Sequence, residues 1–180
     1  MSFSQKLNIR TLVLAGLCLS LCLVLPLVTM QIPQIGSALA PMHIPVLLCG
    51  FICGWRYGLA VGFIAPLLRS ITFGMPPLFP TATAMAFELA AYGLLTGLLY
   101  QLLPKKNLYI YVTLIASMLL GRVVWGIASV VILGIAGQPF TFAIFITRGF
   151  ANAIPGIILH IAIIPVIVIA LKRANLIENK

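Results

Sequence analysis

Arg69, Glu88, Arg122 and Arg148 are the side chains normally charged at neutral pH that fall inside the long apolar runs of this 180-residue chain. A charge near the middle of a bilayer costs at least about 2.5 to 3.5 kcal/mol on insertion scales. Three cations and one anion held there call for a buried polar pocket with two positive charges to spare. An arginine grips a carboxylate or phosphate through two parallel hydrogen bonds. The chemistry this set suits is capture of a small anion, with Arg122 and Arg148 as anchors and Glu88 orienting one of them or meeting a polar group of the ligand. Glu88 and one arginine could equally serve only to hold helices together, but that role cannot absorb three arginines. Arg69, nearer the end of its run, could also snorkel to the interface.

Neighbouring positions extend the candidate site. Asn152 lies one helical turn beyond Arg148 on the same face, and Trp125 lies close after Arg122. His43 opens an apolar run beside a polar loop. Gln34, Ser37, Met42, Phe79, Thr81, Phe87, Tyr92 and Thr147 are further lining candidates by location, although packing alone explains any one of them. His160 is expected well away from the site, in the opposite half of its run.

These residues need helices to hold them. The chain is 62% hydrophobic and 7% charged, with a mean hydropathy of +1.19. A soluble domain carries roughly 25% charged residues, so this composition reads as an all-α integral membrane protein. A single domain over residues 1–180 leaves no room for a separate soluble one. Runs of about 20 apolar residues cross the hydrocarbon core as helices. Six spans are expected: Ile9 to Met30, His43 to Gly54, Gly58 to Phe73, Thr81 to Leu103, Leu108 to Leu133, and Phe142 to Leu171. Pro66 is expected to kink the third. The stretches 31–42, 74–80 and 134–139 break the pattern with proline and glycine, and the first two are elaborate enough to cover a site.

A net charge of +9 resembles a nucleic-acid signal until its cations are located. Lys6, Arg10, Arg56, Lys105, Lys106, Lys172, Arg173 and Lys180 all fall in the terminus-bearing turns, while the opposite loops contain no Lys or Arg. That asymmetry predicts cytoplasmic termini and no nucleic-acid partner. The first apolar run lacks an A-x-A-like cleavage site, so a cleavable signal peptide is not expected.

Cys18, Cys22, Cys49 and Cys53 occur as two pairs at i, i+4 spacing in apolar runs, where a thiol packs as a small hydrophobe. No metal site and no cofactor are expected. The chain has no G-x-x-x-x-G-K-[ST] loop, no H-E-x-x-H and no aspartate, so neither self-powered transport nor membrane hydrolysis is supported. An intramembrane enzyme using Glu88 and His160 is the alternative from another class. It is weakened by their expected difference in depth. A channel would need polar residues in the cytoplasmic half as well, and few are present.

Ala15, Gly16 and Ser20 form a small-residue face on the first span, and such faces let membrane helices approach closely. Gly58 with Gly62 and Gly93 with Gly97 make similar pairs suited to internal packing. The run PMHIPVLLCGFICGWRYGLAVGFIAPLLRSITFGMPPLFPTATAMAFELAAYGLLTGLLY, residues 41–100, resembles the substrate-binding S component of an energy-coupling factor (ECF) vitamin transporter, in the pantothenate-type branch. The likeness implies a non-enzymatic binding subunit of the bacterial cell membrane that takes its vitamin from outside. It implies a scaffold membrane subunit and two ATPases as partners, a toppling motion that releases the vitamin inside, and loops 31–42 and 74–80 as the lid. In that family the first helix reads A-x-x-x-A and docks on the scaffold. Here the spacing gives Ala15-x-x-x-Leu19, with Gly16-x-x-x-Ser20 one position away. Pantothenate, a small carboxylate with hydroxyl and amide groups, fits the excess of arginine, as other acidic micronutrients would.

Overall fold

The structure is a computed structural model describing residues 9–28, 39–174 and 177, and no strand occurs among them. Its helices are α1 (Ile9–Val28), α2 (His43–Cys53), α3 (Trp55–Phe73), α4 (Thr83–Leu102), α5 (Asn107–Ile135), α6 (Phe142–Gly149) and α7 (Ile154–Arg173). A wide irregular turn, Leu78–Ala82, leads into α4, and a short 3-10 turn, Ala151–Ala153, joins α6 to α7.

α4 is the hub, packed against α2, α3 and α5, while α1 lies across α2 and α3 and α7 closes against α5 and α2. The hub role follows from small residues. A Cβ at Gly93 would fall 2.1 Å from the Gly58 carbonyl oxygen, one at Gly62 2.2 Å from the Leu89 oxygen, and one at Gly97 2.2 Å from the Trp55 nitrogen. Only hydrogen fits there. These pairings run in opposite directions along the two chains, so α3 and α4 are antiparallel with their backbones in direct contact. The two glycine pairs singled out in the sequence are therefore internal packing surfaces.

The outer faces of α1, α5 and α7 expose large apolar side chains such as Leu12, Leu17, Leu119, Ile127, Ile158 and Val166. Water would penalise such faces heavily, whereas lipid tails do not. Four helical segments are long and apolar enough to cross a membrane: Ile9–Leu27, Leu78–Leu102, Asn107–Ile135 and Phe142–Arg173. The other two expected spans differ for separable reasons. α2, with 11 residues, is about 16 Å long against a hydrocarbon core of about 30 Å. α3 carries Arg56 and Arg69 within its 19 residues.

The run expected as one sixth span is divided at Phe150, whose backbone leaves the helical region (φ −125°, ψ −59°). Pro155 supplies a cause, because it lacks an N–H and suits only the first turn of the new helix, α7. α3, by contrast, continues through Pro66. Gly74 (φ +70°) ends α3 in the left-handed region, and its N–H donates to the Ser70 carbonyl. Most of the first loop, residues 29–38, lies outside the described residues, and with it the lining candidates Gln34 and Ser37.

Adding a methyl group separates tight from open positions. Gly93→Ala should lower unfolding stability in detergent by about 1–3 kcal/mol, since backbone rather than a side chain must yield. Gly134→Ala, with nothing within 4 Å of its new Cβ, should be neutral or stabilising by about 0.5–1 kcal/mol. Equal effects of the two substitutions on the unfolding transition would contradict this packing.

Candidate binding cavity

At one end of the bundle the helices part around a cavity of about 480 Å³. Its size falls within the roughly 300–1,000 Å³ usual for small-molecule sites. Arg69, Glu88, Arg122, Trp125, Arg148, Asn152 and His43 all line it, so residues from six different helices or turns converge on one volume. Pro26, Pro41, Met42, Thr81 and Met85 also border it, and Met75, Pro76 and Pro77 bring the third-span loop onto its rim.

Glu88 is the electrostatic centre. Its carboxylate Oε1 accepts from Arg122 Nη1 at 2.8 Å and from the Tyr92 hydroxyl at 3.0 Å, with His43 Nε2 3.6 Å away. The Glu88 side chain is 2% exposed and that of Arg122 12%. Unpaired at that depth, the carboxylate would carry a desolvation cost of several kcal/mol. Tyr92 sits one helical turn after Glu88 and its ring occupies the space where a Cβ on Gly121 would stand, 2.1 Å away. Gly121 thus admits the ring whose hydroxyl steadies the carboxylate, and the next residue on α5 supplies the guanidinium.

The three arginines have different surroundings. Arg122 is neutralised by Glu88. Arg69 is buried, donates from Nη1 to the Leu23 carbonyl of α1 at 2.6 Å, and lies 5.1 Å from the Phe73 ring centre. It points inward rather than snorkelling, and ties α3 to α1. Arg148, in the last turn of α6, is exposed toward the cavity and makes no ion pair among the described residues. Asn152 follows it in the 3-10 turn. One carboxylate among three guanidinium groups leaves the cavity with a surplus of two positive charges.

Trp125 forms a wall stacked on Phe145 (centroids 6.1 Å apart, 22° between planes) and meets Phe140 edge-on at 5.7 Å. This aromatic cluster seats α6, and with it Arg148, on α5.

Sequence reasoning misjudged several positions. His160 was expected at another depth, yet its ring stacks on His43 at 5.9 Å, beneath the cavity floor. The run is divided at Phe150, so depth counted along it as one straight helix does not apply. The depth difference from Glu88 used against an enzyme therefore does not hold. Phe87 and Phe79 point outward, 45% and 51% exposed, with Phe87 packed edge-on against Phe63. Tyr92 lies behind Glu88 rather than on the wall. Met75 and Met85 were missed, since nothing in their local spacing distinguishes a pocket methionine from a core one.

On α1 the small-residue face is split. Gly16 and Ser20 are exposed, with the Ser20 hydroxyl donating to the Gly16 carbonyl at 3.0 Å. Ala15 is instead 5% exposed and packs in the core beside Cys18, Cys22 and Cys49. Its turn of the helix faces α2, so Ala15 is corrected from the outward face to the interior. Among the described residues no group of three His, Cys, Asp or Glu side chains is arranged to hold a metal.

A family model described as ECF transporter, substrate-specific component, matches residues 10–168. The chain belongs to that family. No curated protein and no solved structure matches it. The matched range of this S component includes every residue lining the cavity. S components are membrane-embedded substrate-binding subunits of transporters that take up vitamins and other micronutrients, working with a scaffold subunit and ATPase subunits rather than as enzymes.

The Glu88–Arg122 pair can be tested without a ligand. Glu88→Gln should cost about 3 kcal/mol of stability by leaving the guanidinium without its counter-charge. Adding Arg122→Gln to it should restore much of that loss. A double-mutant cycle on detergent unfolding midpoints checks this, and strict additivity would mean the pair is not coupled.

Proposed function

We propose that this S component captures a small anionic micronutrient from outside the cell and hands it to an ECF complex, with pantothenate the best candidate. The observation that carries the reading is the charge balance of the cavity, one carboxylate against three guanidinium groups, with Arg148 exposed into the space a ligand would fill. In this reading Arg148 holds the carboxylate of the substrate and Asn152 supports it. The Glu88–Arg122–His43 group at the floor offers both donors and acceptors to hydroxyl and amide groups. Trp125 and the methionines cover the apolar part. Arg69 contributes charge and holds α1 and α3 in register at the rim.

The same proposal takes the chain as a single domain with six passes through a bacterial cell membrane and both termini cytoplasmic. The short α2 and the arginine-bearing α3 together form a hairpin packed against α4. Loop 74–80 and the loop after α1 act as the lid. The exposed Gly16 and Ser20 face of α1 serves as the docking surface for the scaffold subunit, and two ATPases complete the transporter. Reporter fusions at both termini test the topology. An external location of either end would reject it.

Calorimetric titration of the purified protein with pantothenate tests the ligand. Binding is expected in the wild type. Arg148→Ala should weaken it about tenfold to a hundredfold, the worth of a charge-assisted hydrogen bond of about 1.5–3 kcal/mol, with no change in melting temperature. Arg122→Ala should instead lower binding and stability together, because it strands Glu88. Stabilisation by a neutral vitamin alone, with pantothenate silent, would overturn the anion assignment.

A further inference from the structure

A second cationic cluster lies far from the cavity, where the α4–α5 turn meets the end of α7. Lys105 sits in that turn. Its ammonium donates to the Tyr100 carbonyl and lies 4.0 Å from the centre of the Tyr100 ring. Lys172, in the last turn of α7, donates to the Lys105 carbonyl and so brings a second ammonium to the same turn. Lys106 and Arg173 adjoin them and are exposed. Burial holds the Lys105 ammonium below its ordinary pKa, and the nearby charge of Lys172 pushes in the same direction.

Repulsion between these cations has no counterweight nearby in the described residues. The chain has two acidic residues, Glu88 and Glu178. Glu88 is committed to the cavity. Glu178 lies outside the described residues, and a single carboxylate could not offset four cations. The turn is also flanked by exposed apolar side chains, Leu102 (79% exposed) before it and Leu108 (70%) after it. A cluster of ammonium and guanidinium groups bordered by open leucines matches an amphiphile, with an anionic head at the lysines and acyl chains along the leucines. A free anion would use only half of that surface.

We propose that Lys105, Lys106, Lys172 and Arg173 form a binding site for the phosphate of an anionic phospholipid, which bridges the α4–α5 turn to the end of α7. The site joins two segments 67 residues apart in sequence and is independent of what the cavity carries. Each basic residue near a charged bilayer surface adds roughly a fivefold preference for anionic over neutral lipid.

The test uses the full chain in nanodiscs of equal phosphatidylglycerol and phosphatidylcholine, followed by native mass spectrometry of the lipids that leave with the protein. The wild type should retain phosphatidylglycerol at least about tenfold over phosphatidylcholine. K105Q/K172Q, which keeps Lys106 and Arg173, should fall at least about fivefold below the wild type, and K105R/K172R should keep the wild-type preference. Retention unchanged by added inorganic phosphate would identify the lipid rather than free phosphate as the occupant. Loss of retention on adding phosphate would overturn that choice. A wild type at the bulk ratio, or K105Q/K172Q behaving like wild type, would sink the site. So would a cluster that ignores lipid and is protected only when the scaffold and ATPase subunits are added. Thermal melting in phosphatidylcholine alone, unchanged between the variants, separates lost binding from lost folding.

Discussion

A carboxylate buried in an apolar bundle has to be compensated, and the architecture around Glu88 is arranged by that demand. Left alone, the group would carry a desolvation cost of several kcal/mol. Arg122 of α5 and Tyr92 of α4 donate to it, and His43 of α2 stands 3.6 Å away, so one side chain gathers residues of three helices at a common level. With its oxygen committed to Arg122, Glu88 cannot neutralise Arg69 or Arg148. The pairing decides which arginines carry the cationic surplus of the cavity, Arg69 and Arg148.

Helix packing makes that pairing possible. Gly58, Gly62, Gly93 and Gly97 allow α3 and α4 to touch along their backbones, and Gly121 lets the Tyr92 ring lie against α5. In lipid there is no hydrophobic drive between helices, so such close contact is a main source of cohesion. The tight seam holds one side of the bundle together, while the interrupted α6–α7 segment leaves the other side open. The cavity lies between the rigid seam and the broken helix. Trp125 and its phenylalanine neighbours seat α6 so that Arg148 faces inward.

How legible this was depends on the residue. The four intramembrane charges announce themselves, because each would be costly in lipid and only a shared polar space relieves all of them. Asn152 and Trp125 could be added by their closeness in sequence to that set, and His43 by its place beside the polar loop 31–42. Phe87 and Phe79 show the limit of the same reasoning, since the rotation of a helix about its axis decides whether an aromatic meets a cavity or lipid. His160 shows another limit, as depth counted along a run holds only while the helix is continuous.

Composition and charge alone determined that the chain is helical and membrane-embedded, and that its buried charges should gather. Those conclusions rest on transfer free energies, which depend on residue type and run length and little on neighbours. Tertiary structure alone decided which arginine Glu88 neutralises, which cation stays exposed to a ligand, that Ala15 turns inward, and that the last span is two helices. These depend on helix rotation, close backbone contact and side-chain reach across the bundle, which are properties of residues distant in the chain and brought together only by packing.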